Sequence, residues 1–208
     1  MQQQPMNSGD VLELPNGICY YRNQIIGTGN YSTVYKGFNP KTKELLAVKI
    51  VNLAKFFHIK EALENEINIL KKLKENPNVM KFVDCLTSHP YLIVITEYCN
   101  NGDLRQYMQK HKTIPEVQAR SFLKQLINAL KSLHDLGIMH RDLKPANILL
   151  HRKEGHSGLN LKLADFGFSK LFANSTKMNS QMVDTIVGTP LYMSPQILKG
   201  EAYTSKSD

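Results

Sequence analysis

An acid, basic groups and an amide lie close together in the segment 140–147, which reads His-Arg-Asp-Leu-Lys-Pro-Ala-Asn. A second acid opens the tripeptide Asp165-Phe166-Gly167, which by itself would indicate no more than a turn. Asp142, Asn147 and Asp165 together offer a base and oxygen ligands. This is the set that phosphoryl transfer with magnesium requires.

Histidines offer a second source of acid–base chemistry. His140 precedes the acidic centre directly and could accept a proton. We expect a packed structural role for it, with Asp142 as the base. His151 and His156 lie in the polar loop 151–158 without a partner at metal-ligand spacing, so no metal site is expected there.

Two glycines, Gly27 and Gly29, begin the segment Gly-Thr-Gly-Asn-Tyr-Ser-Thr-Val at 27–34. At this spacing the backbone can approach a phosphate closely, although a plain β-hairpin turn explains the same letters equally well. Strand-like runs lie on both sides, which argues against a dinucleotide-binding fingerprint because that motif needs a helix next. A P-loop is excluded because no Gly-Lys-Ser/Thr follows.

A lysine and a glutamate are expected to pair. Lys49 lies inside the apolar strand predicted at 45–52, where a lone lysine usually faces solvent. Glu66 falls on the apolar face of a helix predicted at 59–74. Burial of an unpaired carboxylate costs several kcal/mol. Lys49 is therefore the expected partner of Glu66.

Elements that position these residues can be predicted from periodicity and turn signals. Residues 1–17 are rich in Gln, Asn, Pro and Gly and predict a flexible lead-in. Five strands of an antiparallel sheet are predicted from β-branched and aromatic residues at 18–28, 31–38, 45–52, 80–87 and 91–96.

The chain becomes helical after Asn100-Asn101-Gly102. Thr113, followed by Pro115 and Glu116, predicts a capping-box start for a long buried helix that ends at Gly137. The fold class expected from the whole pattern is α+β, with a small sheet lobe and a helical lobe.

Composition limits the possible functions. The 208 residues include 26 Lys plus Arg and 18 Asp plus Glu, a net charge of +8, and 42% hydrophobic residues exclude a disordered polymer. Basic residues are scattered among acidic ones and Trp is absent, so no nucleic-acid partner is expected. Cys19, Cys85 and Cys99 form no Cys-x-x-Cys pair, and neither a secretory signal nor a bilayer-length apolar run is present. We expect a cytoplasmic protein with no transmembrane segment.

The motifs occur in one order: glycine loop, strand lysine, helix glutamate, His-Arg-Asp with an asparagine five residues after the aspartate, and Asp-Phe-Gly. In this combination the chain resembles a eukaryotic protein kinase from Gly27 to its last residue. The resemblance implies a two-lobed fold, with an N-lobe at 18–99 and a C-lobe at 100–208. It also implies transfer of the ATP γ-phosphoryl group to Ser or Thr of a protein substrate, with ATP and Mg²⁺ as cofactors.

The resemblance implies an ATP site with residues from both lobes. In it, the glycine loop covers the phosphates, Lys49 held by Glu66 contacts the α and β phosphates, and Asp103 reaches the ribose. The full implied set is Ile26, Gly27, Thr28, Gly29, Asn30, Tyr31, Ser32, Thr33, Val34, Ala47, Lys49, Glu97, Cys99, Asp103 and Leu149.

The resemblance also assigns roles in catalysis. Asp142 would accept the substrate hydroxyl proton, and Lys144 would neutralise the transferring phosphoryl group, as in the serine/threonine class. Asn147 and Asp165 would hold magnesium.

Control by phosphorylation is implied for the activation segment, 165–196. A phosphate on this segment could pair with Arg141 and order it. We take Thr185 as the hypothesised site, added by an upstream kinase or by trans-autophosphorylation, and expect Thr189 to bond Asp142 instead.

Within the family, residues 97–104, 164–169 and 190–195 look most like the ULK-like autophagy-initiating kinases, although calcium/calmodulin-dependent and polo-like kinases share much of the pattern. Ser32 replaces the third loop glycine, and Gln196 replaces a glutamate. Asp208, the last residue, resembles the aspartate that anchors the catalytic-loop backbone and opens a central helix. An incomplete large lobe is therefore expected, with part of the helix face at 119–133 exposed. The alternative to an active kinase is a catalytically incomplete fragment that binds nucleotide or a partner.

Overall fold

A computed structural model describes residues 10–29, 32–54, 60–167, 169–171 and 187–208. The chain divides into two compact units. The first combines Met1–Glu61 with Phe82–Tyr98, and the second combines Ala62–Lys81 with Cys99–Asp208. Residues 62–81, which the sequence predicted as part of the N-lobe, group with the second unit.

The first unit is built on a six-stranded antiparallel sheet, and the α+β class is confirmed. Its strands are β1 Val11–Glu13, β2 Cys19–Thr28, β3 Ser32–Phe38, β4 Leu45–Asn52, β5 Phe82–Ser88 and β6 Tyr91–Glu97. They follow the spatial order β1-β2-β3-β4-β6-β5. One face of the sheet buries an aliphatic cluster made of Leu14, Ile18, Leu46, Val48, Ile93 and Ile95.

The strand β1 corrects the prediction of a flexible lead-in over 1–17. Val11–Glu13 pairs antiparallel with the first residues of β2, and Leu14 is buried in the aliphatic cluster. The turn between the strands closes through a hydrogen bond from the Gly17 N–H to the Leu14 carbonyl, 2.8 Å, and Gly17 adopts a φ of 80°. Pro, Asn and Gly at 15–17 therefore form a hairpin turn. Residues 1–9 lie outside the described residues.

The second unit combines helices with two small ribbons. Its helices are α1 Lys60–Lys72, which begins in the first unit, α2 Leu104–His111, α3 Glu116–Asp135 and α4 Pro195–Leu198. Its strands are β7 Ile138–Met139, β8 Ile148–His151, β9 Asn160–Leu163 and β10 Lys170–Leu171. β7 pairs with β10 and β8 pairs with β9, both antiparallel.

The predicted capping box at Thr113 is wrong. Pro115 occupies the N-cap of α3 without a side-chain hydrogen bond, and Glu116 is the first helical residue. The Glu116 carboxylate accepts a hydrogen bond from the Arg120 guanidinium one turn later, 2.6 Å. As the first helical residue, Glu116 does not occupy the third helical position from which a capping-box glutamate accepts the N-cap N–H. The capping box lies instead on α2, where Asp103 accepts from the Gln106 N–H and the Gln106 side chain accepts from the Asp103 N–H.

Only one stripe of α3 is buried, and part of its apolar face at 119–133 is exposed, as the sequence predicts. Phe122, Ala129 and Leu133 line that stripe. Leu123 and Ile127 remain 57% and 62% exposed, because the apolar residues of this helix span a wider arc than the packed surface. None of the helices in the described ranges combines the length and apolar character that a bilayer crossing requires.

An amide network fixes residues 76–80 to the second unit. The Asn78 amide donates to the Gln125 carbonyl oxygen, 3.0 Å, and accepts from Asn128, 2.9 Å. Asn76 donates to the Ser132 hydroxyl, 2.6 Å. Three side chains on α3 and two on the segment after α1 thus hold that segment in place, which explains why 62–81 groups with this unit.

Gly37 in β3 provides a test of sheet packing. A Cβ at this position would lie 2.7 Å from the Cys19 carbonyl oxygen and 2.8 Å from Val48 Cγ2. We expect Gly37→Ala to lower the free energy of unfolding by about 1–3 kcal/mol, because the neighbouring backbone must shift. Denaturant titration measures this. Gly158→Ala is the matched control, since its Cβ would meet nothing within 4 Å; equal midpoints for the two variants would contradict the expectation.

Candidate active site

The segment 140–147 lies between β7 and β8 and ends in a 3₁₀ turn at Pro145–Asn147. Pro145 at the first position of that turn fits because it lacks an N–H to satisfy. The two ribbons hold both ends of the segment in place. This connection, termed the catalytic loop below, carries most of the predicted reactive side chains.

Asp142 lies at the centre of a closed hydrogen-bond cluster. Lys144 Nζ donates to its Oδ2, 2.7 Å, and the Thr189 hydroxyl donates to its Oδ1, 2.7 Å. Lys144 also donates to Thr189 Oγ1, 2.8 Å, so the three side chains form a ring. The Asn147 amide donates to Asp142 Oδ2, 3.0 Å, and to its backbone carbonyl, 2.9 Å. The expected contact of Thr189 with Asp142 is thus observed.

The environment of Asp142 keeps it ionised. The residue is 3% exposed, and burial alone would raise the pKa of its carboxyl group. Hydrogen bonds from Lys144 and Thr189, the charge of Lys144 and the hydrogen bond from Asn147 outweigh burial, so the pKa is lowered. Asp142 is therefore a carboxylate at neutral pH.

Asp208 anchors the backbone of the catalytic loop. Its Oδ2 accepts from the His140 N–H and its Oδ1 from the Arg141 N–H, both at 2.8 Å. Its Oδ2 also lies 3.0 Å from His134 Nε2 at the end of α3. Burial would raise the pKa of Asp208, but the His134 bond and the two backbone bonds lower it overall. The anchor expected at this position is present.

His134 is a residue that the motif analysis missed. Its signal in the sequence is a histidine one turn after Leu130 on the wide apolar arc of α3. Such a position predicts a buried or paired ring, but not which partner it meets. The structure identifies that partner as Asp208, 74 residues away.

His140 is packed as expected for a structural residue. Its Nδ1 accepts from the Asp142 N–H, 3.3 Å, so its Nε2 donates to the Ala164 carbonyl, 3.1 Å. The ring meets Phe166 edge to face, with centroids 5.1 Å apart. Burial lowers the pKa of His140 more than Asp208, Ala164 and the nearby carboxylates raise it. The ring is therefore neutral at physiological pH, with both nitrogens occupied.

Asn147 and Asp165 have the chemistry of magnesium ligands. The Asn147 amide nitrogen is engaged with Asp142, which leaves its side-chain oxygen outside those bonds. The Ala164 N–H donates to the Asn147 backbone carbonyl, 3.0 Å. Asp165 is the residue that directly follows Ala164, so this hydrogen bond holds it close to Asn147. Asp165 is exposed and adopts a φ of 63°. An amide oxygen and an accessible carboxylate suit a hard cation such as Mg²⁺.

The first unit carries its predicted site residues on one face of the sheet. Gly27 pairs with Val34, and Val34 pairs with Lys49 in β4. Cross-strand partners share a face, and Ala47 shares it too because it lies two residues from Lys49. The residue between them, Val48, points into the aliphatic cluster. One face of the sheet therefore buries the aliphatic cluster, and the opposite face carries the residues predicted to meet ATP.

Gly27 and Gly29 leave room that the described residues do not fill. A Cβ on Gly27 would lie 3.7 Å from Val34, and one on Gly29 would lie 3.5 Å from Ser32 Oγ, both ordinary contact distances. Neither glycine has a positive φ. The hairpin closes through the Gly29 N–H and the Ser32 carbonyl, 2.9 Å. Packing within the described chain thus does not demand glycine here, as expected where a ligand approaches the backbone.

Other predicted site residues are distributed between the two units. Lys49 belongs to the first unit and the buried Glu66 to the second, so their pairing stays a prediction. Asp103, proposed for the ribose, caps α2 and bridges to Leu149 in β8. The structure describes the remaining residues in or after strands: Ile26 and Thr28 in β2, Thr33 in β3, Glu97 at the end of β6, and Cys99 two residues later. Asn30, Tyr31 and Thr185 lie outside the described residues.

The buried neutral His140 predicts a pH dependence of stability. In the unfolded chain its pKa is about 6.5, and burial lowers the folded-state value. Protons therefore bind the unfolded chain preferentially below that pH, so the stability that His140 contributes is complete above about pH 6.5 and is lost as the pH falls. From about pH 7.5 to about pH 5.5, we expect the wild type to lose about 1 kcal/mol more unfolding free energy than His140→Gln. Parallel stability curves would contradict this.

The hydroxyl of Thr189 is expected to stabilise the cluster around Asp142. Thr189→Val keeps the side-chain shape but removes the donor to Asp142 and the acceptor for Lys144. We expect a loss of about 1–2 kcal/mol in unfolding free energy, measured by denaturant titration. Thr189→Ser is the control, because it retains the hydroxyl. An equal loss in both variants would assign the effect to the methyl group.

Comparison with known proteins agrees with this geometry. Residues 20–208 match the protein kinase domain family. The chain is 40% identical over 91% of its length to the serine/threonine-protein kinase atg1 of Dictyostelium discoideum, covering 28% of that protein. It is 38% identical over 88% of its length to ATG1 of Pichia angusta, covering 27%, and 35% identical over 91% to ULK1 of Homo sapiens, covering 18%. The chain thus spans about a quarter or less of the length of these relatives. It belongs to the protein kinase domain family.

Proposed function

We propose that the chain is the catalytic part of a serine/threonine-protein kinase that transfers the γ-phosphoryl group of ATP to a protein hydroxyl. The observation that carries this proposal is the buried Asp142 carboxylate, held by Lys144, Thr189 and Asn147. The match to the protein kinase domain family and the serine/threonine-protein kinases among its relatives support the same activity.

Asp142 is the proposed base. Its lowered pKa keeps it ionised at neutral pH, so it can accept a hydrogen bond from a substrate hydroxyl and then its proton. A substrate serine can replace Thr189 as the donor to Oδ1, because both offer a hydroxyl of the same kind. Lys144 donates to Asp142, and its positive charge is proposed to neutralise the transferring phosphoryl group.

ATP and magnesium are the proposed cofactors. The sheet face of Gly27, Val34, Ala47 and Lys49 would meet the nucleotide, with Lys49 on the α and β phosphates. Asn147 and Asp165 would hold the ion, which when bound neutralises charge on the phosphates. The open space at Gly27 and Gly29 supports a close backbone approach to phosphate.

Regulation and setting are proposed from the sequence. Thr185 in the segment 165–196 would be phosphorylated by an upstream kinase or in trans, with Arg141 as the partner of the phosphate. The resemblance to autophagy-initiating kinases, and relatives named ATG1 and ULK1, support a role in that process. Three free cysteines support a cytoplasmic location.

Phosphate transfer by the chain itself tests the proposal. With labelled Mg-ATP and a basic protein as acceptor, the wild type is expected to transfer phosphate, and Asp142→Asn is expected to lose at least about 100-fold in rate because the base is removed. Asp135→Asn, a change of the same kind at an exposed position, is the control and should keep the wild-type rate.

Thermal stabilisation by Mg-ATP gives the second readout. Stabilisation without transfer by the wild type would contradict the enzymatic proposal and favour a nucleotide-binding chain. Equal transfer by wild type and Asp142→Asn would remove Asp142 from the mechanism.

A further inference from the structure

Asn65 in the middle of α1 makes a long-range contact with the segment after Asp165-Phe166-Gly167. Its amide nitrogen donates to the Ser169 carbonyl oxygen, 2.8 Å, across 104 residues of sequence. Both residues belong to the second unit. The contact is a hydrogen bond between a polar side chain of a helix and a backbone carbonyl of a non-helical segment. Packing of apolar surfaces therefore does not explain it.

Ser169 passes the connection on to the catalytic loop. Its hydroxyl donates to the His140 carbonyl, 3.3 Å, and the residue is 5% exposed. Its N–H donates to the Phe166 carbonyl, 3.0 Å. Directly after it, β10 pairs with β7, the strand that leads into the catalytic loop. Ser169 therefore receives a hydrogen bond from α1 and gives one to the loop that carries Asp142.

The contact depends on how α1 is rotated about its axis. Consecutive residues of a helix are separated by about 100° around the axis, and Asn65 precedes the buried Glu66. A rotation that carried Glu66 out of its buried position would also carry the Asn65 amide away from Ser169. The carbonyl of a buried residue would then lose its donor, which is unfavourable.

We infer that Asn65 and Ser169 are positioning residues, which tie the rotational setting of α1 to the start of the segment 165–196 and to the catalytic loop. The role in catalysis rests on the proposed kinase function. Neither residue needs to touch substrate or nucleotide. Their effect reaches Asp142 through the His140 carbonyl, two residues away in the loop.

Variants at Asn65 separate hydrogen bonding from packing. Asn65→Asp keeps the size of the side chain but replaces its donor with a carboxylate that faces the Ser169 carbonyl, and Asn65→Ala removes the group. We expect kcat for phosphate transfer to fall about tenfold in Asn65→Asp and less in Asn65→Ala, with KM for ATP within about twofold of wild type. Asn68→Ala is the matched control, since Asn68 is exposed on the same helix; it should retain the wild-type kcat.

Amide hydrogen exchange measures the tie without relying on activity. In Asn65→Asp the peptide covering 169–171 is expected to exchange faster than in the wild type, while the β8–β9 hairpin at 148–163 stays unchanged. Ser169→Ala removes only the bond to His140 and should also loosen 169–171. Asn68→Ala should show the wild-type pattern at both places.

The outcomes separate the tie between α1 and residues 169–171 from its effect on catalysis. Wild-type exchange at 169–171 together with wild-type kcat in Asn65→Asp overturns the inference, as does a kcat loss that Asn68→Ala shares. If no variant and no wild type transfers phosphate, the kinase proposal fails and the catalytic part of the inference fails with it. Faster exchange in Asn65→Asp alone would in that case still support the tie between α1 and residues 169–171.

Discussion

The buried carboxylate of Asp208 holds the catalytic loop in the shape on which the rest of the second unit depends. Both of its oxygens accept backbone N–H groups of the loop, at His140 and Arg141. Arg141 adopts a φ of 68°, a left-handed conformation that a side chain other than glycine seldom adopts without compensation. Two charge-assisted hydrogen bonds to consecutive residues supply that compensation. The direction in which Asp142 leaves the backbone follows from this turn.

Two buried carboxylates in this unit have different kinds of partner, and the difference suits different tasks. Asp208 is held mainly by backbone N–H groups, which cannot move without unfolding the loop. Asp142 is held by the side chains of Lys144, Thr189 and Asn147. The Lys144 side chain is long and flexible, and the Thr189 hydroxyl can be replaced by another hydroxyl. Both carboxyl groups have lowered pKa values and stay ionised. Asp208 is thus held by groups that stay in place, whereas the side-chain partners of Asp142 can be exchanged, as its proposed role as a base requires.

Local features of the fold could be predicted from the sequence, and long-range ones could not. Strands β2–β6 and helix α1 follow from alternation and helical spacing, whereas β1 was missed because Pro15, Asn16 and Gly17 indicate a turn only when a strand is recognised on both sides. The capping box was misplaced because Thr113 and Glu116 match the sequence pattern of one, whereas in the structure Pro115 occupies the N-cap of α3. Asp142, Asn147 and Asp165 were found from spacing within motifs. The contact of Asn65 with Ser169 joins positions 104 residues apart and has no local signal.

Residues 187–190 reach Asp142 only through a close backbone approach. Gly188 has a φ of 117°, and a Cβ there would lie 2.5 Å from the Arg141 carbonyl oxygen, so only glycine permits the contact. The next residue is Thr189, whose hydroxyl completes the ring with Asp142 and Lys144. The position of Thr189 is therefore fixed against the same turn that Asp208 anchors. A displacement of this segment would remove a donor from Asp142 and, because that donor lowers the pKa of the carboxyl group, would also change its basicity.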